Sequence, residues 1–134
     1  MAEPKIDDSR WPLVLVDWVG DVTLEEIDAH FEKMAMLTRR GRRFAVLVDM
    51  RGIEHQTAAH RQRGAEKLKS LAREAREAVV CTAHVVSSSI ERGVLTAVYW
   101  LSAPPFETKV FTDRGAAQAW LSEKLQADAL KRAG

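Results

Sequence analysis

Phe44-Ala45-Val46-Leu47-Val48-Asp49-Met50-Arg51-Gly52 is a long, uninterrupted run of strand-forming residues in the middle of the chain, preceded by Arg42-Arg43 and closed by a glycine. A strand covered on both faces reads as continuous apolar sequence because neither face meets water, so this segment is the expected central strand of a sheet. Asp49 then stands near its carboxyl end, and Arg51 to Gln56 reads as the loop that follows.

Upstream, Leu13 to Val19 reads as a first strand closed by Gly20-Asp21, and Lys5 to Trp11 adds a possible edge strand. Thr23-Leu24-Glu25-Glu26 has the pattern of a capping box, in which the threonine oxygen accepts a free backbone N–H and the glutamate reaches back. Leu24, Ile27, Phe31, Met34 and Ala35 follow at helical spacing, and Gly41 is placed to end that helix in a left-handed cap. Arg39, Arg40, Arg42 and Arg43 surround this end, where cations favour the negative pole of the helix dipole.

Downstream, Thr57 to Ala78 carries Ala65, Leu68, Leu71, Ala72 and Ala75 on one face and predicts one long amphipathic helix. Val79 to Val86 is the third strand, and Ser88-Ser89-Ile90-Glu91 opens a third helix that ends by Leu101, before Pro104-Pro105. Phe106 to Phe111 is a fourth strand, and Thr112 or Asp113 caps a last helix packed through Ala117, Trp120, Leu121 and Leu125. Strand and helix alternate four times, which predicts a single-domain α/β fold with a mostly parallel sheet of four or five strands and crossover helices. Residues 1–10 are expected as a polar N-terminal segment, 11–126 as the domain and 127–134 as a tail that frays.

The totals narrow the function classes. A chain of 134 residues buries a core without metal or disulfide help. A net charge of +1 gives no bulk argument for nucleic acid, and the lone Cys81 excludes an internal disulfide and a cysteine zinc cage. No apolar run has the length of a membrane span, and the first residues lack the hydrophobic region of a signal peptide, so a cytoplasmic location is expected.

Val46 to Ile53, the strand exit Gly20-Asp21-Val22-Thr23, and Val110-Phe111-Thr112-Asp113 followed by Ala119-Trp120-Leu121 together resemble the bacterial SpoIIAA-like proteins of the STAS and CRAL-TRIO-like fold. The resemblance runs from about Leu13 to Leu125 and implies an α/β (βα)4 superhelix with no established enzymatic activity. In the anti-sigma-factor antagonists of that fold, an Asp-Ser pair after the central strand carries a phosphorylated serine that switches off partner binding. Counted from Asp49 and Gly52, that pair falls on Thr57 and Ala58, and alanine has no hydroxyl. Thr57 is itself a good helix cap.

At the carboxyl edge of such a sheet the topology gathers Asp17 or Asp21, Asp49, the His55-Gln56-Thr57 loop, Ser87 to Ser89 and Arg92. These are the ingredients of a nucleophilic triad, but there is no Gly-x-Ser-x-Gly elbow, so no catalytic residue is assigned. His30, His55, His60 and His84 are scattered without metal-ligand spacing, no phosphate loop is present, and neither metal nor cofactor is expected. Asp49 and Gly52 read as structural residues of the loop.

The third helix is more informative. Ile90, Val94 and Leu101 form its sheet-facing stripe, yet Leu95 and Tyr99 project about 120° to 160° away from it, beside Arg92 and with Trp100 on a flank. That composition suits an interface anchor. The leading expectation is therefore a non-enzymatic regulatory or scaffolding module. It acts as a homodimer or on a protein partner through Arg92, Leu95, Tyr99 and Trp100 with His55, Gln56, Thr57 and Arg61 of the adjoining loop. The alternative, which the CRAL-TRIO resemblance implies, is a carrier of a small apolar or lipid-like ligand held between helices and sheet.

Overall fold

The computed structural model describes residues 5–54, 57–88, 92–93 and 104–133. Five strands form one sheet in the order β1 (Lys5–Arg10), β2 (Leu13–Asp21), β3 (Phe44–Glu54), β4 (Val79–Val85) and β5 (Glu107–Phe111). The β1–β2 pair is antiparallel, and β2 through β5 run parallel. The expected central strand is central, and the edge strand exists.

Side-chain alternation along the strands builds two cores. Val14, Val16 and Trp18 of β2 with Phe44 and Val46 of β3 pack beneath helices α1 (Leu24–Thr38) and α3 (Ala72–Ala78), through Ile27, Leu37, Ala75 and Ala78. On the opposite face Leu15, Ala45, Leu47, Cys81, Ala83 and Val85 meet Ala117 and Leu121 of α4 (Arg114–Ala133). Cys81 is fully buried, and burial pushes its thiol up to about 12, which makes it core filling.

Helix boundaries follow local chemistry. Glu26 N–H donates to Thr23 Oγ1 at 3.1 Å, as expected of a cap. The glutamate carboxylate, however, accepts from the Thr23 hydroxyl at 3.2 Å, so the reciprocal bond runs through the side chain. Gly41 ends the turn after α1 with φ of 76°, the left-handed geometry that a side chain resists. Asp113 caps α4 by accepting from Ala116 N–H at 2.9 Å.

Three local expectations are corrected. Thr57 to Ala78 is two helices, α2 (Ala58–Ser70) and α3, broken at Leu71. No residue of α2 is buried, whereas Ala75 and Ala78 of α3 are, so the break lets the second segment drop onto the sheet while the first stands off it. Secondly, Arg51 to Glu54 belongs to β3 and not to a loop. The register slips between Asp17 and Val19 of β2, which face Asp49 and Gly52 of β3, so Met50 and Arg51 form a bulge. Gly52 fits because a Cβ there would lie 3.3 Å from the Trp18 carbonyl oxygen and 3.3 Å from Val19 Cγ2. Thirdly, α4 continues past Gln126 to Ala133. Asp128 holds the extension in place by accepting from Arg43 Nε and Nη2 at 2.9 to 3.1 Å.

That pair also shows what the basic cluster does. Arg43 is committed to Asp128, and Arg40 donates to Asp8 at 2.6 Å while stacking over the Trp11 ring, which itself packs on Phe44.

Candidate functional site

Asp17 and Asp49 stand opposite each other in parallel register, and both point to the α4 side. Arg114, in the first turn of α4, reaches between them, with Nη1 donating to Asp17 Oδ1 and Asp49 Oδ2 at 2.8 Å each. Arg51 folds back over the bulge and donates to Asp49 from Nε at 3.0 Å, from Nη2 at 2.8 Å and from its backbone N–H at 3.1 Å. Burial disfavours the Asp49 charge, but the hydrogen bonds from Arg51 and Arg114 outweigh it and hold the carboxyl down at about 2. A carboxylate so acidic and so fully bonded is a weak proton acceptor at neutral pH. Two guanidinium groups meet two carboxylates here, which makes a clamp between α4 and the sheet.

The clamp lies on the opposite face of the sheet from His30, His60 and His84. His84 has Ala83 and Val85 as strand neighbours, and those two face α4. His84 therefore points the other way from Asp49, into a cavity of about 250 Å³ between the sheet and α1, α2 and α3. His30 and His60 line the same cavity. A triad built from Asp49 and any of these three imidazoles is excluded by the sheet between them.

The cavity follows from the stand-off of α2. Gly64 and Ala65 face it with small side chains, and Trp18, Phe31, Met34, Val48 and Met50 supply much of the apolar wall. At its outer rim α2 is tied to α1 by charge, since Arg63 donates to Asp28 at 2.7 Å and Lys67 lies 3.6 Å from the same carboxylate. His60 ties its start: Thr57 N–H donates to His60 Nδ1 at 3.1 Å, which leaves Nε2–H to donate to the Val22 carbonyl at 2.6 Å. Thr57 Oγ1 accepts from His60 N–H at 3.3 Å and completes a capping box with an imidazole in the usual glutamate position.

His30 is different. It is 6% exposed, lies with its ring centroid 4.9 Å from those of both Trp18 and Phe31, and its Nδ1 is buried without a hydrogen-bond partner. Burial, helped by nearby Lys33, lowers its pKa to about 4, so the ring is neutral at physiological pH. Burial lowers His84 to about 4 as well. Thr82 and Thr108, paired across β4 and β5, add hydroxyls to the wall. Sequence spacing hides this assembly, because positions 30, 60 and 84 come from three elements. The one available signal is that His30 shares the inward stripe of α1 with Ile27, Phe31 and Met34. Among the described residues no group of histidine, cysteine and carboxylates is arranged to hold a metal ion.

The other expected site residues are placed as follows. Thr57 caps α2, Ala58 is its first residue, and Arg61 borders the cavity while remaining exposed. Arg92 N–H donates to the Ser88 carbonyl at 3.0 Å, and Ser87 Oγ donates to the Arg51 carbonyl at 3.4 Å. His55, Gln56, Leu95, Tyr99 and Trp100 lie outside the described residues.

A single α/β domain built on a five-stranded sheet, parallel from β2 through β5, has the fold of the SpoIIAA-like class. The SpoIIAA-like family matches residues 13–122, and the chain belongs to that family. Among solved structures it is similar to an uncharacterized protein of the DUF3478 family with a SpoIIAA-like fold from Shewanella loihica PV-4. The TM-score is 0.68 at 15% identity, with 90% of this chain and 95% of that one covered. It is also similar to an anti-sigma factor antagonist from Mycobacterium paratuberculosis, at a TM-score of 0.57 and 11% identity, covering 91% of this chain and 95% of that one. At these identities the likeness is one of fold. A comparison with curated proteins finds no match.

Proposed function

We propose that this protein is a non-enzymatic regulatory module that acts by contact with a protein partner or as a homodimer in the cytoplasm. The observation that carries the reading is the closure of the carboxyl edge. Where a sheet enzyme would keep a free acid or base, Asp49 is saturated by Arg51 and Arg114. Family membership and the fold shared with an anti-sigma factor antagonist support a regulatory role. The ion-paired Arg40 and Arg43 and a net charge of +1 give no support to a nucleic-acid partner. No described helix is long and apolar enough to cross a membrane.

The proposed contact surface is Arg92, Leu95, Tyr99 and Trp100 with the segment from Glu54 to Arg61, chosen from sequence because Leu95 and Tyr99 fall opposite the sheet-facing stripe. The test is sedimentation of the double variant Leu95→Asp, Tyr99→Asp. The expected result is loss of self-association or partner binding with melting largely unchanged. Unfolding of the variant would place these side chains in the domain's own core.

A second reading, a carrier of a small apolar ligand, is favoured by the cavity beneath α2. Native mass spectrometry of freshly purified protein distinguishes the two, by a retained small molecule or by an empty oligomer.

A further inference from the structure

The amino edge of the sheet, where β3 and β4 begin, gathers positive charge from three parts of the chain. Arg42 and Arg43 lie between α1 and β3, Arg76 in the last turn of α3, and Lys131 and Arg132 in the last turn of α4. One side chain joins these segments: Arg43 donates to Asp128 of α4, and from Nη1 to the Glu77 carbonyl of α3 at 2.7 Å. Asp128 in turn lies 3.4 Å from Arg132 Nε, and the hydrogen bond from Arg43, with the charge of Arg132 behind it, holds its carboxyl below the ordinary value. Glu77 and Asp128 are the carboxylates of this junction, set against five cations in a chain whose net charge is only +1. The negative ends of α3 and α4 explain part of the arrangement, but a helix dipole acts within its last turn, and Arg42 lies in no helix. Nor is the cluster neutralised. Arg42, Arg76 and Lys131 are exposed, and among the described residues none of the three has an ion-pair partner. Arg132 keeps 61% of its side chain in solvent.

We propose that this amino-edge surface docks an acidic segment of a partner protein, with Arg42, Arg76 and Lys131 as the contacting cations. A guanidinium presents a planar fork that matches a carboxylate with two hydrogen bonds, and Arg43 already binds Asp128 in that way within the chain. The charge elsewhere selects a short acidic segment over a long polyanion. With five cations and two carboxylates placed here, the remainder of a chain of net charge +1 is negative, so a nucleic acid running past the cluster meets like charge. The inference gives the protein a second contact surface and does not rest on the one proposed above.

Hexaglutamate blocked at both ends is the probe, titrated into the full chain at about 0.1 M salt, where exposed charges more than about 10 Å apart are largely screened. Affinity is read from the anisotropy of a labelled peptide and location from backbone amide shifts of the protein. The shifts of the wild-type chain, which need no variant, are expected on residues 39–43, 73–78 and 128–133. The variant Arg42→Glu, Arg76→Glu, Lys131→Glu leaves Arg43 and Asp128 in place and is expected to bind at least about tenfold more weakly, since each exposed pair is worth a factor of about two to five. The variant Lys5→Glu, Lys33→Glu, Lys109→Glu changes the same charge at exposed positions of β1, α1 and β5, and is expected to lose less than about threefold. Equal losses in the two variants, or shifts spread over the whole surface, would reduce the effect to bulk charge and overturn the proposal. Absence of binding by hexaglutamate would overturn it as well. Tighter binding by an oligothymidylate of the same charge, lost in the amino-edge variant, would assign the surface to nucleic acid and not to an acidic protein segment.

Discussion

Arg114 Nη1 donates to Asp49 Oδ2 at 2.8 Å, joining the first turn of α4 to the bulged end of the central strand across 65 positions of sequence. Asp49 is nearly buried, so its charge is tolerated only because Arg51 and Arg114 surround it. Asp49→Asn would remove the charge and leave two guanidinium groups short of an acceptor. The expected loss is about 1 to 3 kcal/mol of unfolding free energy, read from urea denaturation at neutral pH. The same pairing fixes a pH window. The carboxyl lies at about 2 in the fold against 3.8 in the open chain, so its contribution is complete above pH 3.8 and is lost as pH falls towards 2. A variant of full stability would show that the clamp contributes nothing.

Thr57 stands at the N-cap of α2, with its hydroxyl accepting from His60 N–H and in contact with His60 Nδ1 at 2.7 Å. A hydroxyl occupied in this way is a cap first, and the neighbouring Ala58 has none to modify. Protein isolated from cells is therefore expected to carry no stoichiometric phosphate on Thr57 by intact-mass and peptide analysis. Thr57→Ala is expected to cost about 1 kcal/mol, as loss of a threonine cap does. Phosphate on Thr57 that abolishes partner binding would restore the switch of the anti-sigma-factor antagonists.

The sheet was readable because period-two alternation and apolar runs are local properties: Phe44 to Val48 announces a strand whatever packs on it. Caps were readable for the same reason, as at Thr23, Gly41 and Asp113. The break at Leu71 was not, since neither glycine nor proline marks it and its cause is the different height of α2 and α3 above the sheet. Nor was Arg114, whose two aspartate partners are 65 and 97 positions away and have no sequence sign of belonging together. Asp49 could be singled out from sequence, but not the arginines that make it inert.

Exchange of α2 amides should separate the two helical layers. α2 contributes no buried residue and is held at its rim by partly exposed ion pairs, each of which is worth at most about 1 kcal/mol. α4 instead buries Ala117 and Leu121 completely and is clamped by Arg114 and Arg43. Hydrogen exchange followed by mass spectrometry is expected to show α2 opening well below the global unfolding free energy, with the centre of α4 exchanging last. A bound guest should slow exchange in α2 more than in α4. Equal protection of the two helices would show that α2 is held as firmly as α4.

His30 sets a second pH window, of a different kind from that of Asp49. In the open chain its pKa is 6.5, and in the fold burial brings it to about 4. Between these values the unfolded chain takes up a proton that the native chain refuses, so unfolding is favoured as pH falls. The stabilisation is complete above pH 6.5, declines through the interval and is gone below about 4, and its full size is of order 3 kcal/mol. His84, lowered by burial to about 4, acts in the same direction over the same interval. Unfolding free energy measured by urea titration is therefore expected to drop between pH 6.5 and 4, before the Asp49 clamp begins to protonate. His30→Phe should flatten part of that slope without affecting the loss below pH 3.8. An unchanged slope in His30→Phe would mean that the ring takes up its proton in the folded state, which would contradict a neutral imidazole on the cavity wall.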